Sequence, residues 1–139
     1  MKRNEPITHI MKTNPLTVHH GDPLSKARHL IKDNGIHHLP VVSGRELIGV
    51  ISWSDILRVN VGEAFGQDER SVDATLDHTM KLEDILNKTP VTISMHGTIR
   101  EAAELLSTGE IHSLPVVDGK LLVGIVTTTD LIRYLCSQF

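Results

Sequence analysis

Apolar residues in the first half of the chain fall into segments of helical spacing and short runs rich in β-branched residues. Asp22-Pro23 predicts a helix start, with an N-cap followed by proline at the first helical position, and Asn34-Gly35 predicts its left-handed end. Between these signals, apolar side chains share one helical face: Leu24, Ala27, Leu30 and Ile31. The pattern therefore predicts a helix that buries one side.

Two β-branched runs follow this helix, at residues 39–42 and 47–51. The four residues between them contain glycine and are typical of a hairpin turn. A short β run at residues 16–18 precedes the helix, and a second helix is predicted to open at Ser52. The predicted order of elements is therefore β-α-β-β-α.

The chain then repeats this order. Residues 7–58 align with residues 82–133 at a constant shift of 75 positions without a gap. Identities fall on proline, glycine, histidine and aspartate as well as on apolar residues, as in the match of Asp55 with Asp130. A shared pattern of turns and polar positions indicates duplication of one structural unit.

In the second copy, different residues predict the same elements. Thr98 and Glu101 predict a capping box at the start of its first helix, and Thr127 opens its second helix. Each copy is preceded by a predicted helical turn, at residues 7–11 and 82–86. A three-stranded sheet with helices on one side leaves too much apolar surface for a single copy to cover.

These features predict an α+β fold of mixed α/β type. Two pseudo-twofold-related β-α-β-β-α repeats are expected to pack through their sheets, which leaves two clefts where the copies meet. Such internal clefts are the usual place for a small ligand. The predicted division is repeat 1 at residues 7–58, an acidic linker at residues 59–81, and repeat 2 at residues 82–133. The linker has few apolar residues and is predicted to be extended and exposed.

Composition narrows the classes of function. The chain has 139 residues, a formal net charge of −3 and 3% aromatic residues, so it offers neither a basic patch nor a stacking platform for nucleic acid. No apolar run has the length of a membrane span and no leader pattern follows Met1, so we expect a cytoplasmic protein. Its one cysteine, Cys136, excludes an internal disulfide and is interpreted as a buried apolar residue. The nine histidines show no metal-ligand spacing, and no metal site is predicted.

Two strings in each copy resemble the signature of the CBS domain, which is named after cystathionine β-synthase. In the first copy, residues 35–42 read GIHHLPVV and residues 47–55 read LIGVISWSD. In the second copy, residues 110–117 read EIHSLPVV and residues 122–130 read LVGIVTTTD. The resemblance covers residues 7–133, and the two copies together resemble a tandem CBS pair, or Bateman module.

The resemblance implies a regulatory module that binds an adenosyl ligand such as AMP, ADP, ATP or S-adenosylmethionine in one or both clefts. No cofactor is required for such a role. Neither copy carries a paired set of carboxylates, a nucleophile with its base or a phosphate-binding glycine loop, so no enzyme activity is predicted. The alternative is a ligand-free scaffold that forms a homodimer through its helices or binds a regulated partner protein.

One motif in each copy has the chemistry for a nucleotide. Ser52 and Asp55, like Thr127 and Asp130, lie where a strand ends and a helix begins. A hydroxyl and free N–H groups at a helix start suit an anion, and a carboxylate can accept hydrogen bonds from a ribose diol. The same spacing is that of a capping box, which needs no ligand. Its recurrence after both hairpins, together with the CBS resemblance, favours ligand contact.

The resemblance also assigns roles to individual residues. It places Asp55 and Asp130 at the ribose and Ser52 and Thr127 near the phosphate. Positions bordering the adenine match Thr13, Val18, Lys88 and Ile93. Positions that line the base and reach the phosphates match Ile36, His37, His38, Ile111, His112 and Ser113. His38 and Ser113 stand where nucleotide-binding relatives often have arginine, which favours AMP or S-adenosylmethionine over ATP.

Overall fold

A computed structural model describes residues 3–59 and 68–139 of the chain. These residues form two compact units. The first unit takes its described residues from 16–90, and the second unit combines residues from the N-terminal segment, up to residue 15, with residues 91–139. The segment that leads into repeat 1 therefore folds with the second unit, and the segment that leads into repeat 2 folds with the first.

The elements follow the chain in two similar series. Those up to residue 59 are a 3₁₀ turn (Ile7–His9), β1 (Lys12–Thr13), β2 (Val18–His19), α1 (Leu24–Asn34), β3 (His38–Ser43), β4 (Glu46–Ser52) and α2 (Trp53–Val59). Those from residue 69 are α3 (Glu69–Thr79), α4 (Leu82–Ile85), β5 (Ile93–Ser94), α5 (Ile99–Leu106), β6 (Ser113–Asp118), β7 (Leu121–Thr127) and α6 (Thr128–Ser137).

The first unit confirms the predicted β-α-β-β-α order. β2 runs parallel to β3, with α1 as the crossover, and β3 pairs antiparallel with β4 in a hairpin. Gly35 ends α1 in the left-handed region at φ 61°, as its sequence predicts. The buried face of α1 packs in one apolar cluster with both hairpin strands and with Leu82 of α4.

The second unit repeats this topology and adds a strand from the N-terminal segment. β5 runs parallel to β6, β6 pairs antiparallel with β7, and β1 pairs antiparallel with β7 so that Thr13 lies opposite Gly124. The side chain of Ile7 is fully buried in the apolar core of this unit. The Thr98 hydroxyl accepts a hydrogen bond from the Glu101 N–H at 3.1 Å, which is one half of the predicted capping box.

The predicted start of α1 is wrong by one residue. The N-cap is Pro23, and the Asp22 carboxylate instead accepts a hydrogen bond from the His19 N–H at 2.9 Å, which holds the pKa of Asp22 below its ordinary value. The cap comes from another helix, because Asp77 of α3 accepts from the Ser25 N–H at 2.8 Å and from the Ser25 hydroxyl at 2.6 Å. A cap supplied over such a sequence distance leaves no local signal.

The predicted extended linker is wrong for residues 69–79, which form the helix α3. Asp68 caps this helix through the Ser71 N–H, and this hydrogen bond holds the pKa of Asp68 below its ordinary value. Val72 and Leu76 lie about one helical turn apart and therefore share one face of α3. Both side chains are buried against α1. Residues 60–67 of the predicted linker lie outside the described residues.

The predicted burial of Cys136 is also wrong, because its side chain is exposed. Asp130, Leu131 and Tyr134 turn one side of α6 toward the protein. Cys136 lies on the opposite side with two exposed apolar residues at helical spacing, Ile132 and Leu135. The last helix therefore presents an apolar stripe to its surroundings.

Candidate functional site

The two motif aspartates form matching capping boxes. In the first unit, Asp55 Oδ2 accepts from the Ser52 N–H at 2.9 Å and Ser52 Oγ accepts from the Asp55 N–H at 3.1 Å. In the second unit, the corresponding distances for Asp130 and Thr127 are 2.9 and 3.2 Å. The capping role that the spacing allowed is thus present in both copies, and it uses one oxygen of each carboxylate.

The other carboxylate oxygen, Oδ1, faces a basic side chain in each unit. Asp55 Oδ1 pairs with the Arg58 guanidinium on the same helix, and Asp130 Oδ1 lies 3.8 Å from Lys12 Nζ of β1. The aspartates are largely shielded, at 15% and 7% side-chain exposure, whereas the Arg58 and Lys12 side chains are 72% and 60% exposed. Each cation therefore keeps most of its contact with solvent while it pairs with a shielded carboxylate.

Each helix start is tied to the residues before the hairpin. The Trp53 N–H donates to the His37 carbonyl at 2.9 Å, and the Thr128 N–H donates to the His112 carbonyl at 3.0 Å. The strand register places His38 opposite Ser52, and Ser113 opposite Thr127 in the same way.

Each unit therefore brings together one predicted set of residues. The first unit holds Ile36, His37, His38, Ser52 and Asp55. The second unit holds Ile111, His112, Ser113, Thr127 and Asp130. The His37 and His112 side chains are exposed, while Ile36 and Ile111 pack partly against the apolar cores.

The residues expected to border the adenine differ in their exposure and in the unit to which they belong. Val18 and Ile93 are buried in the cores of their units, so any contact with a ligand is through their main chain. Thr13 and Lys88 are exposed. Thr13 lies in the second unit, on the strand beside β7, whereas Val18 belongs to the first unit.

Two basic residues at the candidate sites were not predicted from the sequence. Arg58 follows Asp55 by one helical turn and aligns with Arg133 in the repeat, so its spacing was a readable signal. Lys12 had no such signal, because it reaches Asp130 only through the pairing of β1 with β7. The repeat-related aspartates thus have counter-ions from different parts of the fold.

The described residues contain no cluster of three or more histidine, cysteine, aspartate or glutamate side chains that could hold a metal ion. Among those same residues, every helix is too short or too polar to cross a bilayer. Each unit sets a carboxylate, a hydroxyl and a basic side chain at the start of a helix.

Comparison with known proteins identifies the family. The CBS domain family model matches the chain twice, at residues 7–62 and 82–137. The chain is 30% identical over 131 residues to a CBS domain-containing protein of Dictyostelium discoideum, covering 93% of this chain and 90% of that protein. It is 31% identical over 140 residues to an uncharacterised protein of Methanocaldococcus jannaschii, covering 94% of this chain and 32% of that protein.

Other relatives are considerably longer than this chain. An inosine-5'-monophosphate dehydrogenase of Korarchaeum cryptofilum is 30% identical over 116 residues, which are 83% of this chain and 21% of the enzyme. The chain spans between a fifth and a half of the length of the first curated relatives that it matches. The likeness to the enzyme is thus confined to part of that enzyme.

Two solved structures have the same fold. The CBS domain pair of protein MJ0100 in complex with 5'-methylthioadenosine and S-adenosyl-L-methionine superposes with a TM-score of 0.71 at 25% identity, covering 94% of this chain and 98% of that one. The protein CBSX2 in complex with AMP superposes with a TM-score of 0.78 at 21% identity, covering 96% and 98%. The double family match and these folds agree, and the chain belongs to the CBS domain family as a tandem pair of CBS domains.

Proposed function

We propose that this CBS pair is a regulatory module that binds an adenosine-containing ligand, with the ribose hydroxyls on Asp55 and Asp130. The observation that carries the proposal is that the two carboxylates are held by the same kinds of contact. In each, the capping box fixes Oδ2, and Oδ1 is held by one exposed cation. A carboxylate fixed in this way is oriented in advance for a hydroxyl donor.

Binding replaces the cation at Oδ1 with ribose hydroxyls. Two hydroxyls can donate to the Oδ1 side of the carboxylate, and such charge-assisted hydrogen bonds are shorter and stronger than neutral ones. The displaced Arg58 or Lys12 side chain stays tethered nearby, where its positive charge favours a phosphate. The hydroxyl of Ser52 or Thr127 and the positive end of the helix favour negative charge at the same place. The role requires binding alone, and we assign no reaction to the site.

The residues beside the carboxylates favour a ligand with one phosphate or none over a triphosphate. His38 and Ser113 provide an imidazole and a hydroxyl opposite the Ser52 and Thr127 positions, which attract a triphosphate less than guanidinium does. The partly buried side chains of Ile36 and Ile111 offer apolar surface for a base. The ligands of the similar structures support the same class: AMP in CBSX2, and 5'-methylthioadenosine and S-adenosyl-L-methionine in MJ0100. We therefore propose AMP or S-adenosylmethionine in preference to ATP.

Calorimetric titration of the protein with AMP, ATP and S-adenosylmethionine tests this proposal. We expect saturable binding of AMP or S-adenosylmethionine, and at least about tenfold weaker binding at the altered site in Asp55→Asn and Asp130→Asn, because each loses a charge-assisted contact. Asparagine keeps an acceptor for the capping N–H, so the fold is retained. Trp53, next to Ser52 in sequence, gives an independent fluorescence signal for the first unit.

Asp33→Asn and Asp118→Asn are the matched controls, since both remove one negative charge at exposed positions away from the motifs. Unchanged affinity in the double variant Asp55→Asn with Asp130→Asn would contradict the assignment of the ribose site. An absence of heat and of thermal stabilisation with all three ligands would favour the scaffold role instead.

A specific observation supports self-association as a second role. Helices α5 and α6 of the second unit border an apolar groove of about 420 Å³, lined in part by Ala103, Leu131 and Leu135. Ile132, which also lines it, is 56% exposed. A groove with an exposed apolar side chain at its border can pack isologously against the same surface of a second copy. We propose that a second copy of this chain occupies this groove in a homodimer.

Light scattering after size exclusion checks the homodimer. The unaltered protein is expected to have the mass of a dimer and Ile132→Asp that of a monomer, because a carboxylate would replace an apolar side chain that the contact buries. Leu16→Asp is the control, since Leu16 is 45% exposed and belongs to the first unit. A monomeric mass for the unaltered protein, or a dimer that tolerates Ile132→Asp, would contradict this surface.

A further inference from the structure

Helix α3 is joined to α1 by a row of polar and ionic contacts beside its two buried apolar residues. Its acidic residues Glu69, Asp73 and Asp77 face a set of side chains on α1 that we term the basic face: Ser25, Arg28, His29 and Lys32. Asp73 Oδ2 lies 2.6 Å from His29 Nε2, and Glu69 Oε1 lies 3.1 Å from Lys32 Nζ. The Lys32 ammonium and the Arg28 guanidinium hold the pKa of Glu69 below its ordinary value.

Arg28 is the centre of this contact. Its side chain is only 2% exposed, and Nη1 lies 3.0 Å from Glu69 Oε1 and 3.4 Å from Asp73 Oδ1. Both carboxylates belong to α3. A buried guanidinium is tolerated when carboxylates pair with it, and loss of a paired carboxylate is costly. The burial of Arg28 and the position of α3 therefore depend on each other.

Apolar contacts and ion pairs share the docking of α3. Among its residues, Val72 and Leu76 are buried in the apolar cluster of the first unit. The helix has 11 residues, a length that is marginal for an isolated helix in water. Its stability therefore comes from docking, and one part of the docking, the pair of Glu69 with Lys32, is half-exposed to salt.

We infer that α3 is an electrostatic latch, which undocks from the basic face of α1 as one unit when its ion pairs are screened, before the rest of the first unit unfolds. Undocking exposes Arg28 and the basic face to solvent. It also loosens the route from α3 through α4 to Asn87, which exchanges two backbone hydrogen bonds with Val50 close to Ser52. The inference does not depend on ligand binding.

Hydrogen exchange of the full chain, followed by mass spectrometry, tests the latch. Raising NaCl from about 0.1 to about 1 M shortens the screening length from about 10 Å to about 3 Å. We expect amides of α3 to exchange at least about tenfold faster at high salt, while those of α5 keep their rate. Rates in α3 and α1 that rise together, or a rate in α3 that salt leaves unchanged, would overturn the latch.

Variants at the ion pairs separate the latch from a general salt effect. The double variant Glu69→Gln with Asp73→Asn removes both α3 carboxylates that pair with Arg28, so α3 is expected to exchange at least about tenfold faster already at low salt. Lys32→Met removes the half-exposed ammonium that pairs with Glu69 and is expected to weaken the salt dependence. A full salt response in Lys32→Met would overturn the latch.

The control removes an ion pair that plays no part in docking. Arg100→Gln with Glu104→Gln deletes an exposed pair within α5 and is expected to leave exchange in α3 unchanged. If a variant at these ion pairs fails to fold, the salt series on the unaltered protein still decides the question.

Discussion

Ile7→Ala is expected to destabilise the second unit by about 3 kcal/mol, the usual cost of truncating a fully buried isoleucine. Ile7 is 0% exposed and belongs to the same apolar cluster as Leu114 and Val116. Its main chain is held there as well, since the Ile7 N–H donates to the Gly97 carbonyl at 3.0 Å. Residue 7 therefore stabilises residues 91–139, although it stands at the start of repeat 1.

Leu82→Ala is the reciprocal variant. Leu82 aligns with Ile7 in the repeat, is 1% exposed and packs in the cluster of the first unit with Leu24 and Ile31. We expect a loss of similar size, about 3 kcal/mol, but in the first unit. Hydrogen exchange resolved by segment measures both, with α5 reporting on the second unit and α1 on the first. Faster exchange in α1 than in α5 for Ile7→Ala would contradict this assignment.

Gly49→Ala and Gly124→Ala are each expected to cost about 2–3 kcal/mol, since the added methyl group meets main chain that cannot easily move. A Cβ on Gly49 would lie 2.6 Å from the Asn87 carbonyl oxygen, and one on Gly124 would lie 2.8 Å from the Lys12 carbonyl oxygen. Both contacts fall within the segments that lead into the repeats. The close approach of the main chain therefore accounts for glycine at both positions.

Urea unfolding followed by circular dichroism measures these losses. Gly21→Ala is the control, since its nearest neighbour is a His19 side-chain atom at 3.7 Å, an ordinary contact. We expect Gly21→Ala to change the free energy of unfolding by less than about 0.5 kcal/mol. Equal stability of Gly49→Ala and Gly21→Ala would show that the β4 contact with Asn87 is not tight.

The internal repeat made most of the fold readable from sequence. Turn residues and apolar spacing are local signals, so the hairpins, the crossover helices and the helix starts at Ser52 and Thr127 were predicted from short stretches. The helix α3 was missed because its apolar positions are few and its charges have partners on α1. The side chains that stabilise this helix are more than 35 residues away, and no local pattern shows them.

At the candidate site, too, local contacts were predictable from the sequence and long-range contacts were not. The Ser/Thr-x-x-Asp motifs predicted both the carboxylates and their capping boxes, because all of these contacts span three residues. The pairing of Lys12 with Asp130 required knowledge of β1, which joins a strand from the far end of the chain. Burial of Val18 and Ile93 in the cores likewise follows from tertiary packing and not from the motif.

The reciprocal placement of Ile7 and Leu82 limits how this protein can be divided or could have arisen. A fragment that contains one repeat alone would keep its leading turn, whose apolar side chain packs in the core of the other unit. It would lack the turn that completes the core of its own unit. A gene encoding one repeat could satisfy both needs only by swapping that turn between two identical molecules. Tandem duplication would then have brought a domain-swapped dimer into a single polypeptide.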